Sequence, residues 1–227
     1  MALDVGDAQF GTRFFRLAAN SATLAALTAL IAVGVALLLA YGARLSRSRF
    51  AAGINRMAAL GYAIPGAVIA IGVLIPVTRA DHLLADLGIA SGLVLTGSIG
   101  MLVFAYLIRF LGVALQSVEA GLARVTPNME DAARSLGMKP AATLARVHAP
   151  ILRSSLITAG LLVFVDVMKE LPATFVMRPF NFDTLAVQAF NLASDERLAE
   201  ASTASLAIVA VGLLPVIVAA RRVVRPR

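Results

Sequence analysis

Five stretches of about 20 apolar residues constrain this chain more than any other feature, because a helix needs about that length to cross the hydrocarbon of a bilayer. They run from Leu17 to Tyr41, Met57 to Thr78, Leu93 to Leu115, Ser155 to Val176 and Ala201 to Ala220. Hydrophobic residues make up 59% of the 227 and charged ones only 15%, against roughly 45–50% and about 25% in ordinary soluble domains. A water-soluble core cannot absorb that surplus. The expected fold is therefore all-α, one polytopic transmembrane helical bundle of five spans. Asp4 and Asp7 precede Arg13 and Arg16, and the first stretch exceeds the h-region of a secretory signal, so it reads as a permanent span.

Basic residues set the expected orientation. Thirteen of them fall on one side: Arg44, Arg47, Arg49 and Arg56; Arg124, Arg134, Lys139, Arg146 and Arg153; and Arg221, Arg222, Arg225 and Arg227. The other side holds five, Arg13, Arg16, Arg79, Arg178 and Arg197. The positive-inside rule places the richer side in the cytoplasm, giving N-out and C-in. The net charge of +7 is explained by this asymmetry rather than by nucleic acid. The chain then divides into an extracytoplasmic segment, 1–16, a membrane domain, 17–220, with a long cytoplasmic loop at 116–154, and a basic cytoplasmic tail, 221–227.

Pro65 with Gly66, Pro76, Pro172 and Pro215 lie in or beside the spans. In lipid such breakers survive where neighbouring helices satisfy the freed backbone groups, so they predict kinked helices that line something. Gly61, Gly66, Gly72, Gly97 and Gly100 predict close helix packing.

The loop 116–154 carries helical punctuation. Thr126, Pro127 and Asn128 open a short helix, and Gly137 followed by Pro140 closes it. Met129, Ala132, Ala133 and Leu136 share one face at i, i+3, i+4 and i+7. Glu130 and Asp131 sit on the other side with Arg134, within ion-pairing reach. A shallow apolar stripe with charged flanks suits a partner's groove, and equally an ordinary surface helix resting on the membrane domain.

Asp131-Ala132-Ala133 followed by Gly137, and Val147-His148-Ala149-Pro150 beyond it, resemble the cytoplasmic signature of binding-protein-dependent ABC importer permeases. Asp131 stands where that family usually has Glu, and Ala149 where Leu is usual. The resemblance implies a MetI-like permease core in the bacterial cytoplasmic (inner) membrane. It makes the short helix a coupling helix that docks an ATP-hydrolysing subunit through Glu130, Asp131, Ala132, Ala133, Leu136 and Gly137. Partners implied are that ATPase, a periplasmic substrate-binding protein and a second permease half, either another copy or a separate chain.

The fourth span holds Asp166, Lys169 and Glu170, then Pro172. Ionisable groups inside a membrane are costly and must be paired or face water. Asp166, Lys169 and Glu170 share one face, and at 1.5 Å per residue Glu170 falls about 22 Å from Ser155, toward the outer side. A pathway or gate formed by Asp166, Lys169, Glu170 and Pro172 is one reading. An interhelical ion pair, with Arg109 as partner, is the other, although Arg109 lies near the cytoplasmic end of the third expected span.

Lys169-Glu170-Leu171-Pro172-Ala173-Thr174, Arg178 to Ala186, Ala193 to Glu200, Ala63 to Gly66 and Arg109 to Gln116 narrow the likeness. Together they resemble the C-terminal half of iron(III) ABC transporter permeases, with thiamine, polyamine and phosphonate permeases close by. That likeness implies ferric iron as cargo, and Asp166 and Glu170 as groups that tune a cation's route. No metal site is expected in the chain, because His82 and His148 fall on opposite sides and cysteine is absent. No G-x-x-x-x-G-K-[ST] occurs, so no cofactor is expected on this chain and ATP would be used by the partner. It is not expected to be an enzyme: Ser98 and Ser205 have no evident base in a span. A non-transporting membrane scaffold remains as a rival of another class.

Overall fold

The computed structural model describes residues 11–46, 48–89 and 94–224, and every regular element among them is helical. Residues 1–10, Arg47, 90–93 and 225–227 lie outside the described residues, as do the side chains of Pro215, Arg221 and Arg222. Ten α-helices are described: α1 (Thr12–Ser46), α2 (Arg49–Ala59), α3 (Gly66–Asp86), α4 (Ile99–Leu122), α5 (Pro127–Ser135), α6 (Pro140–Thr143), α7 (Ala149–Met168), α8 (Pro172–Met177), α9 (Leu185–Ser194) and α10 (Leu198–Val224).

α1, α4 and α7 pack on one another and form the centre of the molecule. Small residues permit this. Ala25, Ala32 and Ala36 of α1, Ala105 and Ala114 of α4 and Ala159 of α7 are wholly buried, so the backbones approach closely, as helices must where lipid removes the hydrophobic drive for association. Leu102, Tyr106 and Val163 fill the spaces between. Large apolar residues such as Phe15, Leu30, Leu38, Val68, Ile71 and Ile75 remain exposed around the outside, the pattern of a bundle surrounded by lipid rather than water.

Among the described residues, four helices are long and apolar enough to cross a membrane: Thr12–Ser46, Gly66–Asp86, Ile99–Leu122 and Pro140–Met168. The stretch Ala201 to Ala220, expected as a fifth span, falls within α10, whose described apolar part, Leu198–Leu213, is shorter than those four. Three of the expected stretches change their bounds. The third span continues past Leu115 to Leu122, because its polar end is satisfied: Ser117 Oγ donates to the Val113 carbonyl at 3.1 Å and Glu119 accepts from Asn55 Nδ2 at 2.9 Å.

The second span is broken. α2 tightens into a 3-10 turn over Leu60–Ala63, and Ile64 (ψ 133°) and Pro65 (ψ 137°) are extended before α3 begins. Proline pushes the residue before it out of the α region, which accounts for Ile64. The expected Ser155 to Val176 span is interrupted too, at Lys169–Leu171, where Pro172 has no N–H to continue the ladder.

At its other end α7 is continuous with α6 through a π-helical turn, Leu144–His148, whose Ala149 N–H reaches back to the Leu144 carbonyl. Pro150 explains the wide turn: it donates nothing, and its ring would crowd the carbonyl of Arg146 in a regular helix.

α5 forms where expected, but the Thr126 hydroxyl makes no capping bond. The stop is a Schellman motif, with Gly137 at φ 75°, its N–H on the Arg134 carbonyl and the Met138 N–H on the Ala133 carbonyl. Between α3 and α4, the buried Asp81 carboxylate accepts the backbone N–H groups of Val94, Leu95 and Thr96 at 3.2, 2.9 and 2.7 Å, fastening the segment that leads into α4.

Candidate functional site

The two helix breaks meet. Arg109, the eleventh of the 24 residues of α4, sends Nη1 to the free carbonyl of Ile64 at 2.8 Å and Nε to Glu170 Oε2 at 3.2 Å. Glu170 Oε1 in turn accepts the Ala173 N–H at 3.2 Å, one of the donors exposed at the start of α8. One guanidinium thus bridges the interruption between α2 and α3 and the interruption between α7 and α8. Glu170 is 6% exposed, so the charge cannot be left to solvent.

Arg109 is therefore mid-helix rather than near the cytoplasmic end, since α4 runs seven residues past the point where hydropathy falls. Glu170 lies level with the middle of α4, just past the end of α7.

Glycine makes room for this meeting. A Cβ on Gly61 would lie 1.8 Å from the Ile108 carbonyl oxygen, and one on Gly66 would lie 2.4 Å from Glu170 Oε1 and 3.0 Å from Arg109 Nη1. Gly72, by contrast, has nothing within 4 Å, and Gly97 owes its place to a φ of 74°, so neither closes a helix contact.

Beside the bridge, Lys169 Nζ pairs with Asp166 Oδ1 at 2.7 Å, with Asp166 buried and Lys169 exposed. Arg109, Lys169, Asp166 and Glu170 thus balance in charge. Thr174 Oγ1 donates to the Glu170 carbonyl at 2.5 Å and so receives the proton of Tyr106, whose hydroxyl is 2.5 Å away. Both are wholly buried; Tyr106 carries no sequence signal beyond a hydroxyl in an apolar run, whereas Thr174 closes the Lys169 to Thr174 stretch of the family likeness.

Pro172 opens α8. Chemically the junction can bind and reorient: freed carbonyls, a buried ion pair and discontinuous helices are what transporters place around a substrate's route. Among the described residues no three His, Cys, Asp or Glu side chains come together to hold a metal ion. His82 is exposed on α3 and His148 is buried in the π-helical turn.

The α5 end is built differently. Met129, Ala132 and Leu136 are exposed, Leu136 to 81%, while Ala133 is buried against the bundle. Asp131 pairs outward with Arg134 at 3.1 Å, both well exposed. Glu130 does not share their side. It turns inward to Arg44 Nε at 2.6 Å and lies 3.4 Å from His148 Nε2.

No family model matches the sequence. Among curated proteins it is 28% identical over 205 residues to the Fe(3+)-transport system permease protein FbpB 2 of Haemophilus influenzae, covering 90% of this chain and 38% of that protein. It is 27% identical over 152 residues to the putative 2-aminoethylphosphonate transport system permease protein PhnV of Salmonella typhimurium, covering 67% of this chain and 53% of that protein. The chain is similar in sequence to permease proteins of bacterial transport systems.

The fold agrees: a bacterial ABC transporter involved in the import of the acidic polysaccharide alginate superposes with a TM-score of 0.76 at 16% identity, over 95% of this chain and 81% of that chain. The same figures hold for that transporter in complex with its alginate pentasaccharide-bound periplasmic protein. The chain spans about a third to a half of the length of these curated relatives.

Proposed function

We propose that this chain is a membrane-spanning permease half of an ATP-driven ABC importer in the bacterial cytoplasmic (inner) membrane. It crosses five times, N-out and C-in, and has no ATPase site of its own. The observation that carries this reading is α5: a nine-residue helix whose Met129, Ala132 and Leu136 stand free on a fold shared with importer permeases. Such a small apolar face flanked by Asp131 and Arg134 fits the cleft of an ATP-hydrolysing subunit.

A substrate-binding protein docks on the opposite end of the bundle, and a second half completes the pathway. Asp166, Lys169, Glu170 and Pro172 are the gate, with Arg109 as the group that holds it. The cargo is ferric iron, supported by the relative that matches 90% of the chain. An organophosphonate is the second reading, supported by the relatives named for 2-aminoethylphosphonate.

Affinity purification of the chain from its own membranes should bring down an ATPase, and Ala132→Arg, on the exposed face, should abolish that association. An unchanged yield of ATPase with Ala132→Arg would overturn the docking site. Uptake of radiolabelled ferric iron against 2-aminoethylphosphonate by the reconstituted complex separates the two cargos.

A further inference from the structure

Arg44 is the hub of a second cluster, far from the helix breaks. It lies in the last turn of α1. Its Nε donates to Glu130 Oε1 at 2.6 Å, its Nη1 to the Leu122 carbonyl at 2.7 Å and its Nη2 to the Val125 carbonyl at 2.6 Å. Leu122 is the last residue of α4, so a positive charge sits where the α4 dipole and unpaired carbonyls favour one.

One turn earlier, Tyr41 donates its hydroxyl to the Pro140 carbonyl at 3.0 Å and meets the His148 ring edge-on, with centroids 5.0 Å apart. Glu130 therefore enters a pocket made by the ends of α1 and α4 and by the π-helical turn that leads into α7. Those three helices are the ones that pack together at the centre of the molecule. By contrast, the other carboxylate of α5, Asp131, touches only Arg134 of its own helix among the ion pairs described.

We propose that Arg44 and Glu130 form a joint that fixes α5 to the ends of α1, α4 and α7, so that force applied to the outer face of α5 moves the three central helices as a unit. Glu130 is then a positioning residue facing the bundle, not a contact with the partner. The transmission half of this statement rests on the permease reading above; the joint itself does not.

The absence of cysteine makes a direct test available. A nitroxide on Leu136→Cys, at the exposed end of α5, reports its mobility in the detergent-solubilised full chain. Glu130→Ala should sharpen the spectrum toward that of a loose helix, with the milder Glu130→Gln between, while Asp131→Ala leaves it unchanged. An unaltered spectrum in a folded Glu130→Ala protein overturns the joint.

In the membrane complex, Glu130→Gln should retain the co-purified ATPase yet lower uptake per ATP hydrolysed roughly tenfold, a coupling loss of the size that networks between distant sites carry. Loss of the ATPase as complete as with Ala132→Arg would instead make Glu130 a partner contact and overturn the proposal. A loosened α5 in a chain that binds no ATPase even when unsubstituted would overturn the permease reading and the transmission, with the joint standing.

Discussion

Arg109 and Arg44 solve one problem in two settings. Each spreads a guanidinium over a carboxylate and over backbone carbonyl oxygen freed where a helix stops, one carbonyl for Arg109 and two for Arg44. Arg109 does so halfway along α4, among breaks in two neighbouring helices, against a carboxylate that is almost completely enclosed. Arg44 does so at the ends of helices, where both partners keep about a fifth of their surface. The planar fork suits both places, because it satisfies several acceptors at once where a lysine would offer one compact charge. What differs is the alternative open to each carboxylate when its arginine is removed: Glu130 can rehydrate, and Glu170 cannot.

That difference gives the largest expected effect. Arg109→Leu leaves Glu170 buried and unpaired and should destabilise the chain by about 3–5 kcal/mol, read as a lowered unfolding midpoint in detergent. Arg44→Leu should cost clearly less. Equal losses would break the comparison and make the two clusters energetically alike.

A smaller effect sharpens it within the central site. Gly61→Ala and Gly66→Ala both overfill the junction, and overpacking typically costs about 1–3 kcal/mol. At Gly61 the obstacle is the backbone of Ile108, which cannot step aside; at Gly66 it is the tip of Glu170, which can. The first should therefore lie at the top of that range or beyond. The second should sit near the bottom yet impair transport more than its stability loss explains, because it displaces the ion pair itself. Unfolding midpoints and uptake measured side by side on both variants decide the order.

Two of the expected proline sites, Pro65 and Pro172, mark helix breaks, whereas Pro76 lies inside α3 without ending it, so a proline in the sequence shows where a helix can break and its neighbours decide whether it does. The central span was legible as well, since Leu17 to Tyr41 lies wholly inside α1. Depth was not. Hydropathy ends the third apolar stretch at Leu115, but the helix continues because Glu119 finds Asn55 on α2, a contact between residues 64 positions apart. That end moves Arg109 to mid-helix, where the ion pair with Glu170 that the sequence offered as one of two readings forms.

The short helix of the long loop was legible from Pro127 and Gly137. A helical wheel, however, groups residues by face without saying which face meets the bundle, and so it put Glu130 with Asp131. Asp81 and Arg44 went unread for a related reason: a single charged residue at a helix end resembles any other, until the chain brings Val94 to Thr96 to the one and Leu122, Val125 and Glu130 to the other.

The smallest effect completes the contrast between the inward and outward faces of α5. Asp131→Asn removes an exposed i, i+3 pair with Arg134, and such pairs contribute between nothing and about 1 kcal/mol. Its unfolding midpoint should thus stay with that of the unsubstituted chain, unlike Glu130→Ala, which strips the joint of its carboxylate. If Asp131 meets the ATPase, the same neutral change should still weaken co-purification of that subunit, and added salt should weaken it in the unsubstituted complex while leaving the half-buried Arg44 to Glu130 pair largely intact. A fall in stability as large as that of Glu130→Ala would mean that the two carboxylates of α5 share one role, and the division of the helix into a gripped face and an anchored face would be lost.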